Sequence, residues 1–131
     1  MTTRLTVKTS TATEMIDISA QVQRALTESG RNEGVVVLYV LHTTAAITVN
    51  EGADPSVRTD IIDTLNEIVP WKRAYRHAEG NSPAHIKATM VGSSEMVPFE
   101  NGRLQLGRWQ SIYFCEFDGP RTRTVLVKIL E

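Results

Sequence analysis

Val35-Val36-Val37-Leu38-Tyr39-Val40-Leu41 is an unbroken apolar run, mostly β-branched or aromatic. A run of this kind fits a central β-strand covered on both faces, so the rest of the chain has to supply the covering layers. Strand texture recurs along the sequence. Arg4 to Thr9 alternates polar and apolar as a half-buried strand does, and Thr13 to Ile18 makes a second strand after a turn at Ser10 to Ala12. Ala45 to Glu51 resumes the strand pattern after His42-Thr43-Thr44. Ser94 to Phe99 and Arg103 to Leu106 flank Glu100-Asn101-Gly102, whose Asn-Gly pair is a strong hairpin signal. Trp109 to Phe117 reads as a long strand, Asp118-Gly119-Pro120-Arg121 as a turn, and the last strand places Val125, Val127 and Ile129 on one face.

Helical periodicity appears in three places. Ile18, Val22, Ala25 and Leu26 share a face, and Gly30 suits the left-handed position that closes a helix. Asp54 is a good N-cap and Pro55 a good first helical residue. Val57, Ile61, Leu65, Ile68 and Val69 follow at helical spacing until Pro70 stops the run. Ser82 and Pro83 repeat the cap-and-proline signal and open a short helix through Ile86, Ala88 and Met90 to about Gly92. The resulting order is two strands, a helix, two strands, a helix, a short helix and four strands. It predicts one α+β domain over residues 1–131, with antiparallel sheets packed against two main helices and one short helix. Two substantial helices cannot cover all that sheet. Trp109, Tyr113 and Phe117, on one face of their strand, are expected to make a self-association surface.

A formal net charge of −1 argues against a broad nucleic-acid-binding face. No apolar run approaches the roughly 18 residues of a membrane span, and the first residues lack the apolar core of a signal peptide. Cys115 is the single cysteine, which excludes an internal disulfide and makes a cytoplasmic setting the expectation. Within its strand Cys115 reads as a small hydrophobe. The chain has no phosphate-binding glycine loop, no dinucleotide fingerprint and no Gly-x-Ser-x-Gly elbow. Gly92-Ser93-Ser94 reads as a helix-ending turn, and Lys72, Arg73 and Arg76 as solvated loop charge.

Chemistry concentrates in His77-Ala78-Glu79-Gly80-Asn81-Ser82-Pro83-Ala84-His85, which holds two of the three histidines. Gly80 and Asn81 are turn formers that let the backbone fold back and bring the two imidazoles together. His85 falls in the first turn of a helix whose free amides and dipole favour an anion, and Lys87 lies one turn from that start. Three imidazoles with one open position is a recurrent metal arrangement, so His42, His77 and His85 are candidate ligands. Glu51, Glu79 or Glu116 would be a fourth ligand or a base. Their spacing matches no standard zinc signature, and capping and hydrogen bonding of loop backbone is the structural alternative for the same histidines.

The chain also resembles a known family. His42-Thr43-Thr44-Ala45-Ala46-Ile47-Thr48-Val49-Asn50-Glu51 followed by Asp54-Pro55, His77 to Ala88, and Asn101-Gly102-Arg103-Leu104 carry the likeness. Leu106-Gly107-Arg108-Trp109-Gln110 and Glu116-Phe117-Asp118-Gly119-Pro120-Arg121 continue it. In these segments, which run in order over essentially the whole chain, it resembles the YjbQ-type secondary thiamine-phosphate synthase family. One departure is Arg108, where the family usually has threonine. The resemblance implies an α+β fold that trimerises through packed sheets, with a site near subunit boundaries. It implies a reaction joining hydroxymethylpyrimidine diphosphate to thiazole phosphate with release of pyrophosphate, at a low level or as a side activity. In that setting His42, His77 and His85 would hold a divalent metal (Zn or Mg) or phosphate directly, with His77, Glu51 and Glu116 as catalytic candidates. Ser82, Lys87, Arg103 and Arg121 would donate to phosphate, and Trp109 would wall the pyrimidine. The competing expectations are a metal-dependent hydrolase or lyase acting on a phosphorylated metabolite, and a non-catalytic trimer that binds a metal or small anion.

Overall fold

A computed structural model describes residues 1–131. Strands β1 (Thr2–Lys8) and β2 (Glu14–Asp17) lead into helix α1 (Ser19–Ser29). Then come β3 (Gly34–Val40), β4 (Ala45–Glu51), α2 (Pro55–Ile68) and α3 (Ser82–Val91). The chain ends with β5 (Ser94–Glu100), β6 (Arg103–Leu104), β7 (Gln110–Glu116) and β8 (Thr122–Leu130). Five strands form one sheet in the order β1-β8-β3-β5-β6, and three form another in the order β2-β7-β4. Every pairing is antiparallel. The α+β architecture read from the sequence is therefore the one observed, with the Val35–Leu41 run at the centre of the larger sheet.

The three-stranded sheet is the middle layer. On one side Ile47 of β4 and Ile112 and Phe114 of β7 meet Val36, Leu38 and Val40 of β3, with Val125, Val127 and Ile129 of β8, in a shared core. Val22 and Leu26 of α1 belong to the same core. On the other side Met15, Tyr113, Cys115 and Phe117 pack under α3 and the Ile61, Ile62 and Leu65 stripe of α2. The parity of β7 thus divides two interiors: its even positions face the larger sheet and its odd ones the helices. Arg58 ties α2 down further, its guanidinium lying 4.8 Å from the Tyr113 ring centre.

Three expectations change. Tyr113 and Phe117 are buried under the helices, so the self-association face expected from them is not available; of the three aromatics only Trp109 is exposed. Nor is β3 covered on both faces within one chain. Val36, Leu38 and Val40 point inward, while Tyr39 is 48% and Leu41 39% exposed on the outer face. Finally, Ser82 is the first residue of α3 and not its cap; Asn81 occupies the cap position without capping, because its side-chain amide donates to Asp118 Oδ2 at 2.9 Å. Gly30 does close α1 in the left-handed conformation at φ 69°, and Asp54 caps α2 by accepting from the Ser56 N–H at 3.0 Å. No helix is long and apolar enough to cross a membrane.

Candidate functional site

A polar crevice of about 400 Å³ opens between the β3–β4 connection and α3. His42, Thr43 and Ala45 form one wall, and His85, Ala88 and Thr89 the other, with Gly92 and Ser93 at the end of α3. His77, in the connection before α3, is not part of that lining but stands beside His85. Its ring lies edge-on to His85 with centroids 5.3 Å apart and planes at 90°. The fold-back that brings them together is local: the Gly80 N–H donates to the His77 carbonyl at 3.3 Å, with Gly80 at φ 76°. The structure therefore places His77 against His85, and His85 in one crevice with His42.

Two imidazoles sharing a tetrahedral metal at about 2.1 Å per nitrogen would have ring centres roughly 5 Å apart. The His77–His85 centroid separation is of that order. His42 does not extend it, since its Nε2 accepts the Thr124 backbone N–H at 2.9 Å. No group of three or more His, Cys, Asp and Glu side chains within one chain is arranged to hold a metal ion. A resident metal would take His77 and His85 from this chain and complete its shell from outside it.

The other candidate residues divide between the crevice and the framework around it. Arg121 lies close by: its Nη2 donates to Asp118 Oδ2 at 2.9 Å, the same oxygen that accepts from Asn81. Asp118 thus latches the β7–β8 turn to the start of α3. Glu116 is completely buried and ion-paired to Arg123, and it also accepts from the Thr9 hydroxyl at 2.7 Å and the Asp118 N–H at 3.0 Å. Burial alone would raise its pKa, but these bonds overcome that and hold the carboxyl below its ordinary value. Such a group is framework and a poor proton acceptor. Lys87 is 2% exposed and does not line the crevice; its ammonium donates to Asn66 Oδ1 of α2 and lies 5.9 Å from the Phe117 ring centre. Burial lowers its pKa.

Glu51 and Trp109 lie together elsewhere, in a depression they share with Val49, Asn50 and Gln110. The Glu51 carboxylate accepts the Ala53 and Asp54 N–H groups at 2.7 and 3.2 Å, so it shapes the approach to α2. Arg103 lines a separate polar hollow with Gln23, Arg31 and Asn101. Sequence reading missed Asp118 and Arg123. Arg123 carried a signal, because it shares the inward parity of Val125, Val127 and Ile129; a cation at a core position calls for a buried partner.

The comparisons with known proteins fall in one group. Residues 3–131 match the family described as UPF0047 protein, YjbQ-like. The UPF0047 protein YugU of Bacillus subtilis is 51% identical over 127 residues, covering 96% of each chain. A UPF0047 protein of Methanocaldococcus jannaschii is 48% identical, over 95% of this chain and 90% of its own. The crystal structure of an uncharacterised conserved protein of the same family from Clostridium acetobutylicum superposes with a TM-score of 0.95 at 51% identity, covering 98% of this chain and 99% of that one. A hypothetical protein from Aeropyrum pernix gives a TM-score of 0.94 at 39% identity, with 99% and 98% covered.

Proposed function

The chain belongs to the YjbQ-like UPF0047 family, and from that footing we propose that it is an enzyme acting on a phosphorylated small molecule in the crevice lined by His42 and His85, with His77 beside it. The first reaction to consider is the union of hydroxymethylpyrimidine diphosphate with thiazole phosphate. The observation supporting this reading is the pair His42 and His85 lining one polar opening, with the His77 ring against His85 and Arg121 latched to Asp118.

Loss of pyrophosphate builds negative charge on the departing oxygens, and donors fixed in advance stabilise that charge most effectively. His85 and His77 supply imidazole nitrogens free of protein hydrogen bonds. Arg121, half-exposed and held by Asp118, supplies a guanidinium whose remaining donors stay open to phosphate. A divalent ion on the His77–His85 pair would supply Lewis-acid stabilisation of the leaving phosphate. Glu116 stays in the framework, and Lys87 acts on the packing between α2 and α3. We propose further that the active form is a homotrimer, its chains joined through the outer face of the five-stranded sheet.

Turnover assays test the reading. Pyrophosphate release is followed first with the pyrimidine diphosphate and thiazole phosphate pair, then with a panel of phosphorylated metabolites. The expected result is turnover by the wild type that falls about 100-fold or more in His85→Ala. Absence of turnover across the panel, or an unaffected His85→Ala, would overturn it.

A further inference from the structure

His42 is committed on one side of its ring. Leaving β3, the chain remains stitched to β8: the Leu41 N–H donates to the Thr124 carbonyl at 3.3 Å, and the Thr124 N–H donates to His42 Nε2 at 2.9 Å. A backbone amide only donates, so Nε2 is the lone-pair nitrogen of the ring. The neutral imidazole then carries its proton on Nδ1. Nothing in the protein bonds Nδ1, and the half-buried ring lines the crevice opposite His85. Its surroundings support the neutral form. Burial and the Arg123 cation lower its pKa, with a smaller push from Arg121, against an opposing effect of Glu116.

We propose that His42 is a fixed hydrogen-bond donor, presenting Nδ1–H to an anionic oxygen of the ligand in the crevice, and is neither a metal ligand nor a proton acceptor there. A neutral histidine binds a metal through its unprotonated nitrogen, and here that nitrogen is turned onto the backbone of β8. The three histidines therefore separate by role. His77 and His85 have ring nitrogens open to a cation or a proton, while His42 offers a single donor aimed by the sheet. This inference rests on the phosphate reading of the crevice and assigns one of its contacts.

Ring nitrogen-15 spectra of the wild-type protein provide a test independent of turnover. The expected spectrum shows His42 protonated at Nδ1 and bare at Nε2, with Nδ1 shifting on titration of pyrophosphate. Zinc is expected to perturb His77 and His85 and leave His42 in place. The variants separate binding from support of the loop. Gln in His42→Gln can keep an acceptor near the Nε2 position but loses the Nδ1 donor, so pyrophosphate affinity should fall about tenfold or more with unfolding unchanged. His42→Asn, with an amide near the Nδ1 position, should retain more affinity than His42→Gln. A proton on Nε2, zinc binding at His42, or wild-type affinity in His42→Gln would overturn the donor role. An Nδ1–H tautomer in a wild type that does not bind pyrophosphate would overturn the phosphate reading, and the donor assignment with it.

Discussion

Glu116 and Arg123 show how strongly one pair of side chains is held by its surroundings. Arg123 donates to Glu116 and also to the Thr44 hydroxyl at 2.9 Å, so the pair anchors the β3–β4 connection that carries His42. Removing the cation leaves a buried carboxylate without its partner. Arg123→Met should cost about 3–5 kcal/mol in denaturant unfolding. The pH dependence follows from the depressed Glu116 carboxyl: its stabilisation is complete above the unfolded carboxylate pKa of about 4.3 and is lost as pH falls through the lower folded value. Stability curves should therefore drop on acidification, and Glu116→Gln should flatten that drop. Lys87 also has a lowered pKa, so its contribution likewise rises with pH, but here the fold works against the charge. Its charged form is disfavoured in the fold, with no carboxylate beside it, so Lys87→Met should raise the melting temperature by a few degrees, about 1 kcal/mol. Several of these roles could not be read from residue type. Lys87 lies one helical turn from an anion-friendly helix start, but its face of α3 meets Asn66 and Phe117; helix phase relative to a neighbour is a tertiary property. The parity of Arg123, by contrast, was legible.

Among the elements, the β7–β8 turn leaves no room for a side chain at Gly119. A Cβ on Gly119 would lie 2.4 Å from the Thr11 carbonyl oxygen, 2.8 Å from Glu116 Cγ and 2.9 Å from Thr9 Oγ1. Backbone and a clamped side chain surround it, so neither can swing aside. Gly119→Ala should lower stability by about 1–3 kcal/mol in denaturant unfolding and displace the turn that presents Asp118 and Arg121. Elements whose punctuation is local were readable in advance. Gly30 ends α1, Asp54 starts α2, and Asn101-Gly102, at φ 53° and 70°, turns the β5–β6 hairpin. The start of α3 was harder because Asn81 turns away to a residue 37 positions later in the chain, and a cap signal says nothing about that competitor. The aromatic face of β7 was misjudged for a similar reason: the covering helices come from α2 and α3, and only the assembled middle layer shows which face they take.

At the scale of the whole molecule, the outer face of the five-stranded sheet is the unpartnered surface. Tyr39 and Met96 are 48% and 70% exposed, and Leu130 is 46% exposed beside Val35. The residues that made β3 look doubly covered lie here, which supports a neighbouring copy as the second cover. Light scattering at micromolar concentration should read three chain masses for the wild type and fewer for Met96→Glu; a wild-type monomer would refute the trimer. Thr9 carries a different consequence. It exchanges backbone and hydroxyl bonds with Arg121 and holds Glu116, 107 positions away. The opening strand and the last turn therefore have to change in concert over evolutionary time. A chimera that borrows its first ten residues from a distant relative should fold poorly until residues 116–123 are borrowed with them.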